Sequence, residues 1–197
     1  MPNRPLILAS SSRYRRELLE RLGYPFEVRA PRVDESPKPA ERPRDTALRL
    51  AEAKARAIAA SLRHGLVIGS DQVADDAGVA VSKPGDHAHA VALLASLSGR
   101  TLVFHTAVAL IDCESARIQR ECVDVVSTFR KLSMTDVEKY VGRDRPYDCA
   151  GAVRSEGLGI ALFERIASDD PTTLIGLPLI ALNRMLRNEG VDVLATS

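Results

Sequence analysis

The residues best suited to chemistry stand at the ends of apolar runs. In "LILASSSRYRRELLERLG" (6–23), three serines and Arg13, Arg15 and Arg16, with Tyr14 among them, follow an apolar run and open a helical pattern. An arginine cluster taken alone is most often a solvated helix face. At a helix N-terminus, however, backbone N–H groups and the helix dipole already attract anions. A guanidinium adds a planar fork that grips phosphate oxygens, and serine hydroxyls add donors. The stretch therefore reads as a phosphate site, without the glycine spacing of a P-loop. In "VIGSDQV", Asp71 follows Leu66–Ile68 with Gly69 and Ser70 between. Polar strand ends facing a crevice are where α/β folds place chemistry, and a turn aspartate is the plain alternative. Lys83 precedes a Pro-Gly turn in "SKPGD", and Lys54 lies on an Ala-rich helical stretch. Each alone reads as a surface or snorkelling lysine.

The elements that must position these groups alternate between strand and helix patterns. "PLILAS" (5–10) reads as a buried strand, and Ser11 or Ser12 caps a helix carrying Leu18, Leu19 and Leu22, with Gly23 beyond its end. "FEVRAP" (26–31) reads as a strand, and "PRVDESPKPAERPRD" (31–45) as a linker rich in proline and charge. Asp45 precedes a long helix with Leu48, Ala51, Ala55, Ile58 and Leu62 at helical spacing. "GLVIGSDQVA" (65–74) is a buried strand followed by polar residues. Asp86 caps a helix through Leu97, closed by Gly99. "TLVFHTAVALI" and "RECVDVVSTFRKL" predict long antiparallel strands. Ser133 and Asp136 form a capping box for a helix through Val141. "GIALFER" (159–165) predicts a strand, and residues 178–190 a closing helix with Pro178 in its first turn and Gly190 past its end. This order suits a curved mixed sheet with flanking helices, an α/β fold.

Bulk properties set the background. The 197 residues suit one domain spanning 1–197, or two lobes sharing one core. Lys plus Arg number 27 against 26 Asp plus Glu, a net charge of +1 that argues against a nucleic-acid partner. Cys113, Cys122 and Cys149 are odd in number and widely spaced, with no Cys-x-x-Cys, which argues for free thiols and against a disulfide framework or a zinc site. No apolar run approaches membrane-spanning length and no signal-peptide core opens the chain, so a cytoplasmic location is expected and no membrane partner. The histidines at 64, 87, 89 and 105 do not form a transition-metal set, and His87-x-His89 reads as an exposed helix turn.

Taken in order, "LILASSSRYRRELLERLG", "VDES", "RLAEAKA", "VIGSDQV", "SKP", "LSGR", "CAGAVRSEGLGI" and "LIGLPL" resemble the Maf family of nucleotide pyrophosphatases over residues 6 to 190. The resemblance implies a two-lobed α/β fold related to inosine-triphosphate pyrophosphatases, with a central cleft for a nucleoside triphosphate and a divalent cation, Mg²⁺ or Mn²⁺. It assigns Ser10, Arg15 and Arg16 to phosphate binding and Glu35 to the metal. Lys54 and Lys83 become catalytic lysines, and Asp71 the proton acceptor. A homodimer is implied by the resemblance alone. One departure is visible: Arg13 stands where many members carry proline.

Three residues resemble the branch that hydrolyses 7-methyl-GTP to 7-methyl-GMP and diphosphate: Tyr14, Gln72 and Glu156. Each has a plainer reading. Tyr14 lies at i, i+4 and i+8 with Leu18 and Leu22 and fits a core, Gln72 can satisfy backbone, and Glu156 can be a loop acid. The alternatives are a pyrophosphatase for dTTP, UTP or modified pyrimidines, and a non-enzymatic nucleotide-binding regulator of septum formation. The complete set of Asp, Lys and Arg residues favours catalysis.

Overall fold

A computed structural model describes residues 4–195. Strand β1 (Leu6–Ala9) is buried throughout, as expected of a continuous apolar run in a parallel sheet. It pairs in parallel with β2 (Glu27–Arg29) on one side and β3 (Leu66–Asp76) on the other. β3 pairs antiparallel with β5 (Thr101–Asp112), β5 with β6 (Ile118–Phe129), and β6 with β7 (Phe163–Ala167). The short β4 (Val79–Val81) folds back on the end of β3, completing a mixed sheet ordered β2-β1-β3-β5-β6-β7. Five helices flank it: α1 (Arg13–Glu20), α2 (Pro43–Ala59), α3 (His87–Leu97), α4 (Met134–Asp144) and α5 (Leu179–Asn188).

One sheet face changes character along its length. On β3, the alternate residues run Leu66, Ile68, Ser70, Gln72, Ala74, and on β5 they run Leu110, Val108, Thr106, Phe104, Leu102. The apolar residues at one end pack with α1 and α5 through Leu18, Leu19, Leu182 and Leu186. Those at the other end pack with α3 and α4 through Leu94, Leu97, Val137 and Val141. The polar residues fall between these two cores, so the two lobes meet at a polar seam. The opposite face is covered by α2, whose Ala47, Ala51 and Ala55 pack on Val67, Ala107 and Ala109.

Small residues bring α2 close. A Cβ on Gly69 would lie 2.1 Å from the Ala51 carbonyl oxygen and 2.7 Å from the Ala55 nitrogen. Glycine stands here because the helix backbone occupies the space where a side chain would be.

Local capping chemistry matches the sequence reading where it is strong. Ser12 caps α1 by accepting from Arg15 N–H, Asp86 caps α3 by accepting from His89 N–H, and Ser133 with Asp136 closes a capping box on α4. Several boundaries differ: β2 is shorter than expected, covering only Glu27–Arg29, and α2 ends at Ala59, before Leu62. α2 starts at Pro43, ahead of Asp45, because proline is preorganised for a first helical turn and Asp45 then sits within that turn. Pro178 is the N-cap residue of α5 rather than part of its first turn. α4 continues past Val141 to Asp144, where Arg145 turns left-handed at φ 48°. The strand expected at 159–165 is instead a 3₁₀ turn over Leu158–Leu162, followed by β7. Gly159 lies against the Arg154 backbone, where a Cβ would be 2.3 Å from its carbonyl oxygen, and this fold-over removes residues 158–162 from the sheet.

Candidate active site

The C-terminal ends of β1 and β3 point the same way, and the chemistry gathers beyond them, as is usual for parallel strands. Asp71 projects from β3 toward α2 and is buried. Lys54, in the turn of α2 that meets Gly69, is 6 % exposed. Its ammonium donates to Asp71 Oδ1 at 2.7 Å and lies 2.9 Å from Glu35 Oε1. A buried ammonium needs such partners, since an uncompensated charge in the interior costs several kcal/mol or more. Glu35 arrives from the 31–42 segment and remains half exposed. That segment is tied to α2 by Glu41, whose two carboxylate oxygens take Arg49 Nε at 2.6 Å and Nη2 at 2.7 Å.

Electrostatics around this group favour anionic carboxylates beside cations. Burial pushes the Glu35 carboxyl upward, but the Lys54 hydrogen bond and the charges of Lys54, Lys83 and Arg15 outweigh it and hold it below its ordinary value. Lys83 sits exposed in the loop after β4, close enough to contribute to that field. Burial lowers Arg15, countered by the carboxylates of Asp71 and Glu35. Lys54, Lys83 and Arg15 thus surround two acids, an arrangement suited to a polyanion with a proton acceptor or cation ligand at its centre.

The polar seam holds this cluster from the other sheet face. The loop before α5 turns its carbonyl oxygens inward: Gly176 O accepts from Arg15 Nε at 2.8 Å and from Ser70 Oγ at 2.9 Å. Thr173 O accepts from Thr106 Oγ1 at 3.0 Å and Gln72 Nε2 at 3.1 Å, and Leu174 O from Gln72 Nε2 at 3.0 Å. The loop is fixed in turn by buried Asp170, which accepts from Thr172 and from the N–H of Ile180 at the start of α5. Gln72 is therefore a brace for this loop. The Gly176 carbonyl and Ser70 carry no advance signal in the sequence, because a backbone acceptor can belong to any residue type.

Of the other sequence-derived candidates, Ser10 is buried and accepts from Ser12 N–H at 3.1 Å, shaping the turn into α1. Arg16 is not brought to the cluster. It pairs with Glu20 at 3.0 Å on the outer face of α1, beside a depression lined by Tyr24, Phe26 and Val28. Adjacent helix residues point about 100° apart, so Arg15 turned inward leaves Arg16 outward.

Tyr14 and Glu156 form a second cluster around Arg154. The Arg154 guanidinium lies 5.7 Å from the Tyr14 ring centroid, and its Nε is 3.5 Å from Glu156 Oε1. Arg13 lies 4.7 Å from the same ring centroid and donates to the Tyr14 hydroxyl at 2.9 Å. Leu18 and Leu22 join the apolar core beneath α1, while Tyr14 stands outside it, so the core reading of Tyr14 does not hold. Burial pushes the Tyr14 phenol above its ordinary value, leaving it protonated at neutral pH.

No helix among the described residues is long and apolar enough to cross a membrane. A model of Maf-like proteins matches residues 5–189. A protein of Ralstonia nicotianae named 7-methyl-GTP pyrophosphatase is 57% identical over 184 residues, covering 93% of this chain and 95% of its own. Proteins of the same name from Polaromonas sp. and Burkholderia pseudomallei are 53% and 58% identical, covering 98% and 94% of this chain and 88% and 87% of their own.

Proposed function

The chain belongs to the Maf family, and from that premise we propose that it hydrolyses 7-methyl-GTP to 7-methyl-GMP and diphosphate. The observation that carries this reading is Lys54 bridging Asp71 and Glu35 beside Arg15. Hydrolysis between the α and β phosphates forms a bond from water oxygen to the α phosphorus and breaks the bond from that phosphorus to the bridging oxygen. Positioning and charge stabilisation carry most of such a reaction. Asp71 accepts the water proton. Lys54 holds Asp71 in place, and Arg15 and Lys83 take up negative charge on the triphosphate. Arg15, clamped by Gly176 O, meets it with a preset fork.

A divalent cation fits the acids present. Glu35 is ionised, half exposed and engaged by Lys54 through one oxygen, which leaves oxygen lone pairs of the kind Mg²⁺ and Mn²⁺ take. Bound there with substrate phosphates, such an ion supplies further neutralisation of phosphate charge.

The base reading rests on Tyr14 and Glu156. N7-methylation makes guanine a planar cation with two adjacent N–H donors on one edge. A planar cation with N–H donors already lies between these two side chains, namely the Arg154 guanidinium. The same pair of surfaces suits the base by stacking and by a charge-assisted hydrogen bond. Uracil and thymine carry neither the charge nor the paired donors.

The test is Asp71→Asn, with pyrophosphate release as the readout. Turnover should fall by about 10²–10⁴-fold, as for loss of a general base. Near-normal turnover in the folded variant moves the proton acceptor elsewhere. Orthophosphate as the sole phosphate product of the wild type overturns the bond assignment, and a preference for dTTP or UTP overturns the base assignment alone.

A further inference from the structure

We propose that His105, Cys122 and Asp124 bind a transition-metal ion of the zinc class, at a site separate from the carboxylates of the reaction. The three lie on the α2-covered face of the sheet. His105 stands directly opposite Asp124, and Cys122 stands two pairs along on β6, opposite Ala107 and on the same face. Among the described residues they are the one group of His, Cys, Asp or Glu whose ligand atoms all fall within 4.8 Å of one another in metal-holding number.

The geometry around His105 carries the inference. Its Nε2 lies 3.1 Å from Asp75 Oδ2 and its Nδ1 2.8 Å from Asp124 Oδ1. A neutral imidazole donates through one nitrogen only. With Nε2–H on Asp75, the Nδ1 lone pair faces a carboxylate oxygen, and two lone pairs at 2.8 Å repel. A cation must lie between them, either a proton or a metal. Cys122 Sγ is placed 3.8 Å from the same Asp124 oxygen, so a third donor of softer type addresses that point. Sulfur, imidazole nitrogen and carboxylate oxygen are the zinc donor set, at about 2.0–2.3 Å from the metal. The Asp75 contact is the outer carboxylate that orients metal-binding histidines. Mg²⁺ and Mn²⁺ prefer all-oxygen sites and do not compete well for a thiolate.

Access and charge are consistent with exchange. The Asp124 side chain is 41% exposed, giving an entry path, and the exposed Arg44 now lies 3.6 Å from its second oxygen. Burial pushes the Cys122 thiol up to about 12. A metal takes the sulfur as thiolate, so binding releases the thiol proton to solvent. Spacing along the chain hides the site, because its members come from two strands and its orienting carboxylate from a third.

Cobalt(II) added to the full chain is the probe, since its bond to a thiolate gives a near-ultraviolet charge-transfer band. One Co²⁺ should bind per chain with that band, and Zn²⁺ should bleach it. Cys122→Ser should abolish the band, Cys113→Ser should keep it, and Asp75→Asn should weaken binding by about 10–100-fold. Urea unfolding confirms that each variant is folded. Absence of the band at saturating Co²⁺, or a band that survives Cys122→Ser, means that only a proton lies between His105 and Asp124 and overturns the site.

Discussion

Gly69→Ala tests whether the approach of α2 to β3 sets the active geometry. The added Cβ would lie 2.1 Å from Ala51 O, whereas ordinary contact begins at 3.4 Å. The helix must therefore retreat by about 1.3 Å or the strand must bend by as much. Lys54 lies in the same turn, with its ammonium 2.7 Å from Asp71. A retreat of that size takes the contact to roughly 4 Å, outside hydrogen-bond range. A hydrogen bond to a charged group contributes about 1.5–3 kcal/mol, which corresponds to a fall of roughly 10–150-fold in kcat. Overpacking should also cost about 1–3 kcal/mol of stability. KM should move little, because Tyr14 and Glu156 sit on other elements. Steady-state pyrophosphate release and urea unfolding measure the two effects. A second substitution, Ala55→Gly, removes only the 3.0 Å side-chain contact and leaves the carbonyl clash, so it should not restore kcat. A folded Gly69→Ala enzyme with wild-type kcat would refute the claim that this spacing positions Lys54.

The base pocket and the loop anchor give further expectations. Glu156→Gln should reduce the preference for 7-methyl-GTP over dTTP and UTP, measured as the ratio of kcat/KM values, and an unchanged ratio removes Glu156 from base recognition. Tyr14→Ala should raise KM for 7-methyl-GTP by roughly 2–30-fold, the equivalent of about 0.5–2 kcal/mol of cation–π contact; equal effects on dTTP would argue against stacking on a charged base. Arg49 holds the Glu41 carboxyl at about 2, below its ordinary 4.5. A depressed folded value stabilises above the unfolded one, so the wild type should exceed Glu41→Gln in urea resistance at neutral pH, and that advantage should shrink as pH falls from 4.5 toward 2. A pH-independent gap would show that Glu41 acts through packing rather than charge.

What could be read in advance divides by range. Ser12, Asp86 and the Ser133–Asp136 box act within one helical turn, and their residue types announce them. The apolar runs of β1, β3 and β5 were equally legible, because both faces of these strands lie against core. "GIALFER" misled because its residues suit a strand, while the obstacle is a backbone carbonyl from Arg154. At the site, the motif order named Asp71, Lys54, Glu35 and Arg15, which do converge. It could not separate Arg15 from Arg16, which depends on the rotation of α1. Nor could it show that Gln72 braces a loop, since its partners are carbonyls 101 and 102 residues away.

The Gly176 carbonyl has a consequence for how the enzyme comes into being. It clamps Arg15 across 161 residues and Ser70 across 106. During synthesis α1 emerges 161 residues before the acceptor that aims its arginine. At about 5–20 residues per second the interval is on the order of ten seconds to half a minute. Throughout that time Arg15 is without its clamp, and a chain cut short before Gly176 holds Asp71 and Lys54 without a fixed Arg15. Contacts of such separation also form late and slowly in folding. The Arg15 clamp thus forms only once the loop carrying Gly176 has docked, and the appearance of activity in a refolding time course should report that docking rather than the formation of the sheet.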